Sequence, residues 1–246
     1  APVAPFSATW DSYTAIQQYA YVDPGVAWNA FKCLMSLTDA QGVIAGESLP
    51  SRKAQTAWIL FQLTGDTASL TSVYEPMKRY FNWRLKYPYW VYNTVPDTTK
   101  KDAEFVFSAL VDLAYMRDIS KIVYNADTAA AWEQKRVQFY ETSKPWFWQT
   151  PGAKPVQYYD TQTGVRGAGN TLWVTTGLYV DLLSGSYLTG MNNLFHDNFS
   201  SGYNFYLHGV AKYPDLSYTI YGLVARGRKD SAEIMVDAAI RQAVLA

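Results

Sequence analysis

The segment from Ala54 to Leu63 is hydrophobic almost all round the helix that its residue spacing predicts. A helix of this kind has no face suited to water, so it must be buried between neighbouring elements. Gly65 and Asp66 follow it as a stop signal, and residues 67–85 then carry a single apolar stripe. We therefore expect an inner helix followed by an outer one, within at least two layers of helices.

Apolar residues recur at helical spacing along the rest of the chain, and the alternation that predicts strands is nearly absent. The further predicted helices lie at about 8–20, 24–39, 102–124, 127–143, 170–187, a shorter segment after Thr189, 215–227 and 229–245. The fold class is therefore all-α, with about nine or ten helices. No linker or low-complexity stretch interrupts residues 1–246, so a single domain is expected.

The composition argues against several functional classes. The 21 basic and 21 acidic residues cancel without a basic run, so a nucleic-acid partner is not expected. No run reaches the roughly 18 apolar residues that cross a membrane. The two histidines lie outside any ligand-spaced cluster, so no metal site is expected, and no sequence feature implies an organic cofactor. Cys33, the single cysteine, excludes an intramolecular disulfide and is expected to be buried in its apolar helix.

Two features suit a secreted glycoprotein. The chain begins Ala-Pro-Val-Ala-Pro, as a trimmed mature terminus would, and Asn198-Phe199-Ser200 is a glycosylation sequon. We expect an extracellular location on these grounds.

Aromatic residues are abundant, with nine Trp, twenty Tyr and eleven Phe. Such side chains either fill a large core or present flat faces to a ligand. Many lie in three long predicted loops, Lys86 to Lys101, Trp146 to Asn170 and Ser200 to Pro214. Loops of this length are uncommon unless they are functional. We therefore expect a ligand-binding face in these loops.

Carboxylates among aromatic residues are what sugar hydrolysis requires. One carboxyl protonates the leaving oxygen, another activates water or attacks the sugar, and aromatic faces hold the rings. The candidate catalytic residues are Asp97, Asp102 and Glu47. Each also suits a structural role, because Asp97 and Asp102 lie where they can cap the helix that follows.

Arg52, Lys53 and Gln55, at the start of the predicted inner helix, are candidates for binding a substrate's hydroxyl groups. The other candidate substrate-binding residues lie elsewhere in the chain and are Trp10, Asp11, Trp90, Trp148 and Trp173. Polar groups at a buried helix end need partners, and a sugar can supply them. Internal salt bridges for Arg52 and Lys53, and core filling for the tryptophans, remain the structural alternatives.

Several stretches occur in the order found in one group of carbohydrate-active enzymes. They are Thr9-Trp10-Asp11-Ser12-Tyr13, Asp23-Pro24 through Gly42, Gln55 through Asp66, Asp102 through Ile122, Trp132 through Thr161, and Tyr218 through Ala232. This order resembles glycoside hydrolase family sixty-three and its trehalase-like and mannosylglycerate-hydrolase-like relatives. The resemblance implies an (α/α)6 toroid and an inverting hydrolase acting on an α-glucoside or α-mannoside. In an inverting enzyme the two carboxyls stand roughly 6.5–9.5 Å apart.

The sequence departs from this family at its catalytic positions. The family's general acid stands in a Glu-Ser-Gly-x-Asp-Asn-Ser-Pro loop, where this chain has Tyr92 through Asp97. Asp97 is the stand-in that the resemblance suggests, with Asp102 behind it. The family's general base, a Glu, would fall beyond Ala246. Because twelve helices close such a toroid, we expect a second chain or a cleaved segment to complete it.

The leading expectation is therefore a glycoside hydrolase, or a large fragment of one, acting on an oligosaccharide or glycoside. A non-catalytic carbohydrate-binding protein with a degenerate cleft is the main alternative. A helical scaffold that binds protein or lipid, and a polysaccharide lyase, also remain open.

Overall fold

A computed structural model describes residues 9–44, 47, 50, 52–89, 97–169, 171–200 and 213–245. The α-helices of these residues are α1 (Thr9–Tyr19), α2 (Pro24–Ser36), α3 (Lys53–Thr64), α4 (Thr67–Arg84), α5 (Ala103–Val123), α6 (Ala126–Phe147), α7 (Thr171–Thr175), α8 (Gly185–Ser200), α9 (Tyr213–Ala225) and α10 (Lys229–Leu245). A 3-10 helix spans Thr176–Tyr179, and the short strands are β1 (Lys100–Asp102), β2 (Tyr158–Asp160) and β3 (Arg166–Gly167). The prediction of a mainly helical protein is confirmed.

Helix ends follow the signals in the sequence. Asp23 precedes α2 and its carboxylate accepts the Val26 amide at 3.0 Å, with Pro24 as the first helical residue. Gly65 ends α3 in the left-handed conformation, with φ 66°. Asp66 then caps α4 by accepting the Ser69 amide at 2.9 Å. These caps place the first four helices close to their predicted positions.

Two sequence-based expectations were wrong. Residues 170–187 do not form one helix, because α7 passes into the 3-10 helix, and Val180 then takes extended backbone before α8 begins at Gly185. Cys33 is exposed rather than buried. It lies on the outward side of α2, whose buried residues are Ala27, Trp28, Phe31 and Met35.

Contacts divide the chain into two compact units, Ala1–Glu141 and Thr142–Ala246, and the boundary falls within α6. The prediction of a single domain stays a prediction. In the first unit α3 contacts α1, α2, α4 and α5. Residues 53–57 and 103–113 are buried throughout, so the first halves of α3 and α5 are enclosed on every side. By contrast α4 buries one stripe, as predicted for an outer helix.

The second unit is organised around α9. This helix packs against the 3-10 helix, α7 and α10, while α7 also contacts α8. Strands β2 and β3 pair as an antiparallel hairpin with Tyr158 opposite Gly167. No helix in the described ranges is both long enough and apolar enough to cross a membrane.

Close approach between α9 and the 3-10 helix depends on Gly222. A Cβ atom at this position would lie 2.7 Å from both the Leu178 Cβ and the Tyr179 amide nitrogen. Backbone atoms cannot move aside cheaply, so a glycine is required where these two helices cross.

We predict that Gly222→Ala lowers the free energy of unfolding by roughly 1–3 kcal/mol through overpacking. The measurement is urea denaturation followed by circular dichroism. Gly25→Ala is the control, since its Cβ would meet Asp23 Oδ1 at 3.4 Å, an ordinary contact. Equal stability of the two variants would contradict the packing argument.

Candidate functional site

A cluster of buried charged side chains lies at the start of α3. Lys53, Glu47 and Arg84 are each no more than 2% exposed. Lys53 donates to Oε1 of Glu47, and Arg84 donates to Oε2 at 2.7 Å. Tyr80 donates its hydroxyl to Oε1 at 3.0 Å. One carboxylate therefore joins the N-terminal end of α3 to the C-terminal half of α4.

Aromatic rings surround the two cations. The Lys53 Nζ lies 3.8 Å from the centre of the Tyr80 ring and 4.8 Å from that of Tyr13. The Arg84 guanidinium lies 4.6 Å from the Phe105 ring, and its Nη1 also donates to the carbonyls of Tyr87 and Tyr89, each at 3.0 Å. Ring faces attract cations that have lost water, so they partly replace the missing solvent.

Burial and attraction compete in setting the charge of this cluster. Burial acts to raise the pKa of Glu47, but Lys53 and Arg84 outweigh it and the pKa lies below its ordinary value. Burial lowers the pKa of Lys53 despite the attraction of Glu47. Burial also raises the pKa of Tyr80 well above its ordinary value. Glu47 is consequently ionised at neutral pH.

Asp112 brings a second carboxyl to the same end of α3. This residue of α5 is 1% exposed, and its carboxyl accepts a hydrogen bond from the backbone N–H of Gln55 at 2.9 Å. It therefore satisfies a donor in the first turn of α3. Burial raises the pKa of Asp112 to about 7, against the attraction of Arg52 and the hydrogen bond from Gln55. Asp112 is thus the carboxyl of this region that can hold a proton near neutral pH.

Polar side chains continue along the first turns of α3. Gln17 of α1 donates to the Thr56 hydroxyl at 2.8 Å, and that hydroxyl donates to the Arg52 carbonyl at 2.6 Å. Oε1 of Gln55 is buried and finds no hydrogen-bond donor among the described residues. A buried acceptor without a donor is unfavourable, so a ligand hydroxyl at this position would stabilise the site.

The structure brings together three of the predicted substrate-binding residues and one predicted catalytic residue. Arg52, Lys53 and Gln55 are all buried at the start of α3, with Glu47 bound to Lys53. Asp102 is 4% exposed and caps α5 by accepting the Glu104 amide at 2.8 Å. Asp97 accepts from the amide and hydroxyl of Thr99, each at 2.7 Å.

The predicted aromatic residues are more scattered. Trp148 is 3% exposed and packs edge-on against Tyr187 at 5.5 Å. Trp173 lies on α7 and is half-buried. Asp11 is exposed in the first turn of α1. Trp90 and the side chain of Trp10 lie outside the described residues.

Sequence reasoning missed Asp112, Arg84, Tyr80 and Tyr13. A signal existed for Asp112, since it is a lone acidic residue within the apolar run from Phe105 to Met116. A carboxyl in such a run is buried and needs specific partners. Arg84 gave no comparable signal, because a basic residue in the last turn of a helix ordinarily has an electrostatic explanation.

We predict that Glu47→Gln destabilises the protein by about 3–5 kcal/mol, because two buried cations lose their countercharge. Chemical denaturation at pH 7 measures this loss. Adding Lys53→Met to Glu47→Gln should restore part of it by removing one of those cations. Glu75→Gln is the control, since Glu75 and Lys78 pair at 3.1 Å with about half of each side chain exposed. Removal of such an exposed pair costs up to about 1 kcal/mol, and an equally small loss for Glu47→Gln would refute the expectation.

Asp112 should give the stability a distinctive dependence on pH. Between its ordinary value of 3.8 and about 7, the folded protein retains a proton that the unfolded chain has released. The free energy of unfolding contributed by this group therefore falls as pH rises through that window, by roughly 4 kcal/mol at most. Asp112→Asn removes this fall, so we predict that its stability relative to the wild type rises from pH 4 to pH 7.

The control for this titration is Asp118→Asn on the same helix. Hydrogen bonds from Arg117 and Lys121 lower the pKa of Asp118 despite its partial burial. This variant should therefore be less stable than the wild type at neutral pH, with a deficit that shrinks as pH falls through the lowered pKa. Parallel pH profiles for Asp112→Asn and the wild type would show that Asp112 does not titrate in this window.

Within the described residues, no three His, Cys, Asp or Glu side chains lie close enough to hold a metal ion. Comparison with known proteins gives no family for the chain, since no family model matches it and no curated protein does so.

Proposed function

We propose that this chain is a glycoside hydrolase, or a large part of one, acting on α-linked glucosides or mannosides. The proposal includes an (α/α)6 toroid as the arrangement of its helices. Support for that arrangement comes from the first unit, where the enclosed first halves of α3 and α5 alternate along the chain with the one-sided helix α4. Such alternation is expected where inner helices are surrounded by outer ones.

The observation that carries the proposal is a pair of carboxyls at one end of α3 whose pKa values are shifted in opposite directions. Lys53 and Arg84 hold the pKa of Glu47 below its ordinary value, whereas burial raises the pKa of Asp112 to about 7. Enzymes that cleave glycosidic bonds need one carboxyl that carries a proton and another that does not. Lys53 interacts electrostatically with both carboxyls, so the two belong to one charged cluster.

In this proposal Asp112 supplies the proton to the leaving oxygen. Glu47 is the carboxylate that takes a proton from the attacking water on the opposite face of the sugar ring. Gln55 and Arg52, both buried at the start of α3, would bind sugar hydroxyls. The amide oxygen of Gln55 suits this role, because it lacks a donor among the described residues. We also propose that the protein is secreted, in keeping with an oligosaccharide or glycoside substrate.

The test is sugar release from α-glucosides and α-mannosides by the purified chain and its variants. We predict that Asp112→Asn lowers kcat by about 10²–10⁴-fold with little change in KM, because the proton donor is lost. Asp118→Asn should keep full activity. An active Asp112→Asn variant would exclude this acid. Asp97→Asn and Asp102→Asn then test the other two candidate acids, and full activity in both would leave none of the three as the general acid.

The burial of both carboxyls favours a second candidate, a carbohydrate-binding protein without catalysis. Glu47 has both oxygens occupied, by Lys53 and Tyr80 on one and Arg84 on the other. A carboxylate held by three donors in this way is better suited to a structural role than to contact with the water molecule that hydrolysis needs. Calorimetric binding of an α-linked oligosaccharide without turnover would select this candidate over the hydrolase.

A further inference from the structure

A groove runs between α9 and α10 on the surface of the second unit. Its apolar lining consists of Ile220 and Val224 from α9 and Ala232, Val236 and Ile240 from α10. The groove has a volume of about 470 Å³. Lining residues on α10 recur every four positions, so the apolar strip follows the helix for more than two turns. A third helix could pack along such a strip between two others.

Three apolar residues of this strip are partly exposed. Val224 is 47% exposed, Val236 39% and Ile240 58%. A partner packed along the strip would remove these side chains from water. Burial of such side chains by a partner contributes roughly 25 cal/mol of favourable free energy for each Å² removed from water, and this stabilises the complex.

Charged residues along α10 determine which occupant fits. Lys229, Glu233, Asp237 and Arg241 recur every four residues, in the order basic, acidic, acidic, basic. The first three of them border the groove. This order reads the same in both directions, so a second copy of α10 aligned in register would bring like charges together in either orientation. Pairing of two α10 helices in register is therefore disfavoured.

An occupant with the opposite pattern would place an acidic residue opposite Lys229 and basic residues opposite Glu233 and Asp237. Glu233 is exposed, and Asp237 pairs with Arg241 at 2.7 Å in a contact that leaves both side chains more than half exposed. Exposed pairs of this kind contribute little to stability, so Asp237 can exchange its partner at small cost. Two basic side chains one helical turn apart would lie opposite Glu233 and Asp237.

We propose that the α9–α10 groove binds an amphipathic helix from another protein, whose apolar face is flanked by two basic residues spaced one turn apart. This inference rests on the second unit alone and is independent of the proposed glycosidase activity.

The experiment uses two designed helical peptides that differ at two positions. Both carry leucines at helical spacing, and the two residues that flank the leucine face are Lys in one peptide and Glu in the other. Binding to the full chain is followed by fluorescence anisotropy. We predict that the Lys peptide binds at least about tenfold more tightly than the Glu peptide. The double variant Glu233→Gln, Asp237→Asn replaces both carboxylates by amides and should reduce the difference in affinity between the two peptides.

Matched variants on α10 show whether the groove itself is occupied. Val236→Glu places a charge in the groove and should weaken Lys-peptide binding by about tenfold or more. Ile234→Glu is the control, because Ile234 has a similar exposure of 43% but does not line the groove. Both positions are exposed, so circular dichroism should show a folded protein for each variant.

Three results would overturn the proposal. Equal binding of the two peptides would show that Glu233 and Asp237 do not select the occupant. Failure of both peptides to bind would show that the groove does not hold a helix of this kind. Dimerisation in analytical ultracentrifugation that Val236→Glu abolishes and Ile234→Glu leaves intact would assign the groove to a second copy of this chain.

Discussion

A carboxylate that becomes buried loses its hydrogen bonds to water, and other donors must replace them. Glu47 is such a carboxylate in the first unit. Lys53, Arg84 and Tyr80 supply the replacement from α3 and α4. Because unpaired charges in the interior cost several kcal/mol, these contacts fix the relative position of the two helices. The enclosed first half of α3 can exist only with this compensation, and the candidate functional site is formed from the same residues.

The second carboxyl, Asp112, obeys the same physical rule with the opposite result. Its backbone hydrogen bond from Gln55 and the nearby Arg52 do not offset the loss of water, so its pKa rises to about 7. Two carboxyls in one charged cluster thus differ in protonation because their partners differ. Stability and the proposed chemistry are linked here, since a group that favours its protonated form in the folded state is also a suitable proton donor.

Among its described residues the second unit has no comparable cluster of buried charges, and it depends on close helix packing instead. Gly222 allows α9 to approach the 3-10 helix, and the opposite side of α9 contributes to the apolar groove with α10. Residues such as Val236 and Ile240 have the spacing of a buried stripe and yet remain exposed. The unit therefore satisfies its own core on one side of this helix pair and presents an apolar surface on the other.

The sequence by itself determined the helical class and most helix positions, because apolar periodicity, Asp caps and the Gly65 stop act within one or two turns of chain. It also located the polar start of α3 at Arg52, Lys53 and Gln55. It did not identify the break near Val180 or the exposed side of Cys33. Only the tertiary structure decided that Glu47 meets Arg84 across 37 residues and that Asp112 reaches the Gln55 amide across 57. Such long-range pairings have no local signature, because they depend on which helix faces pack together.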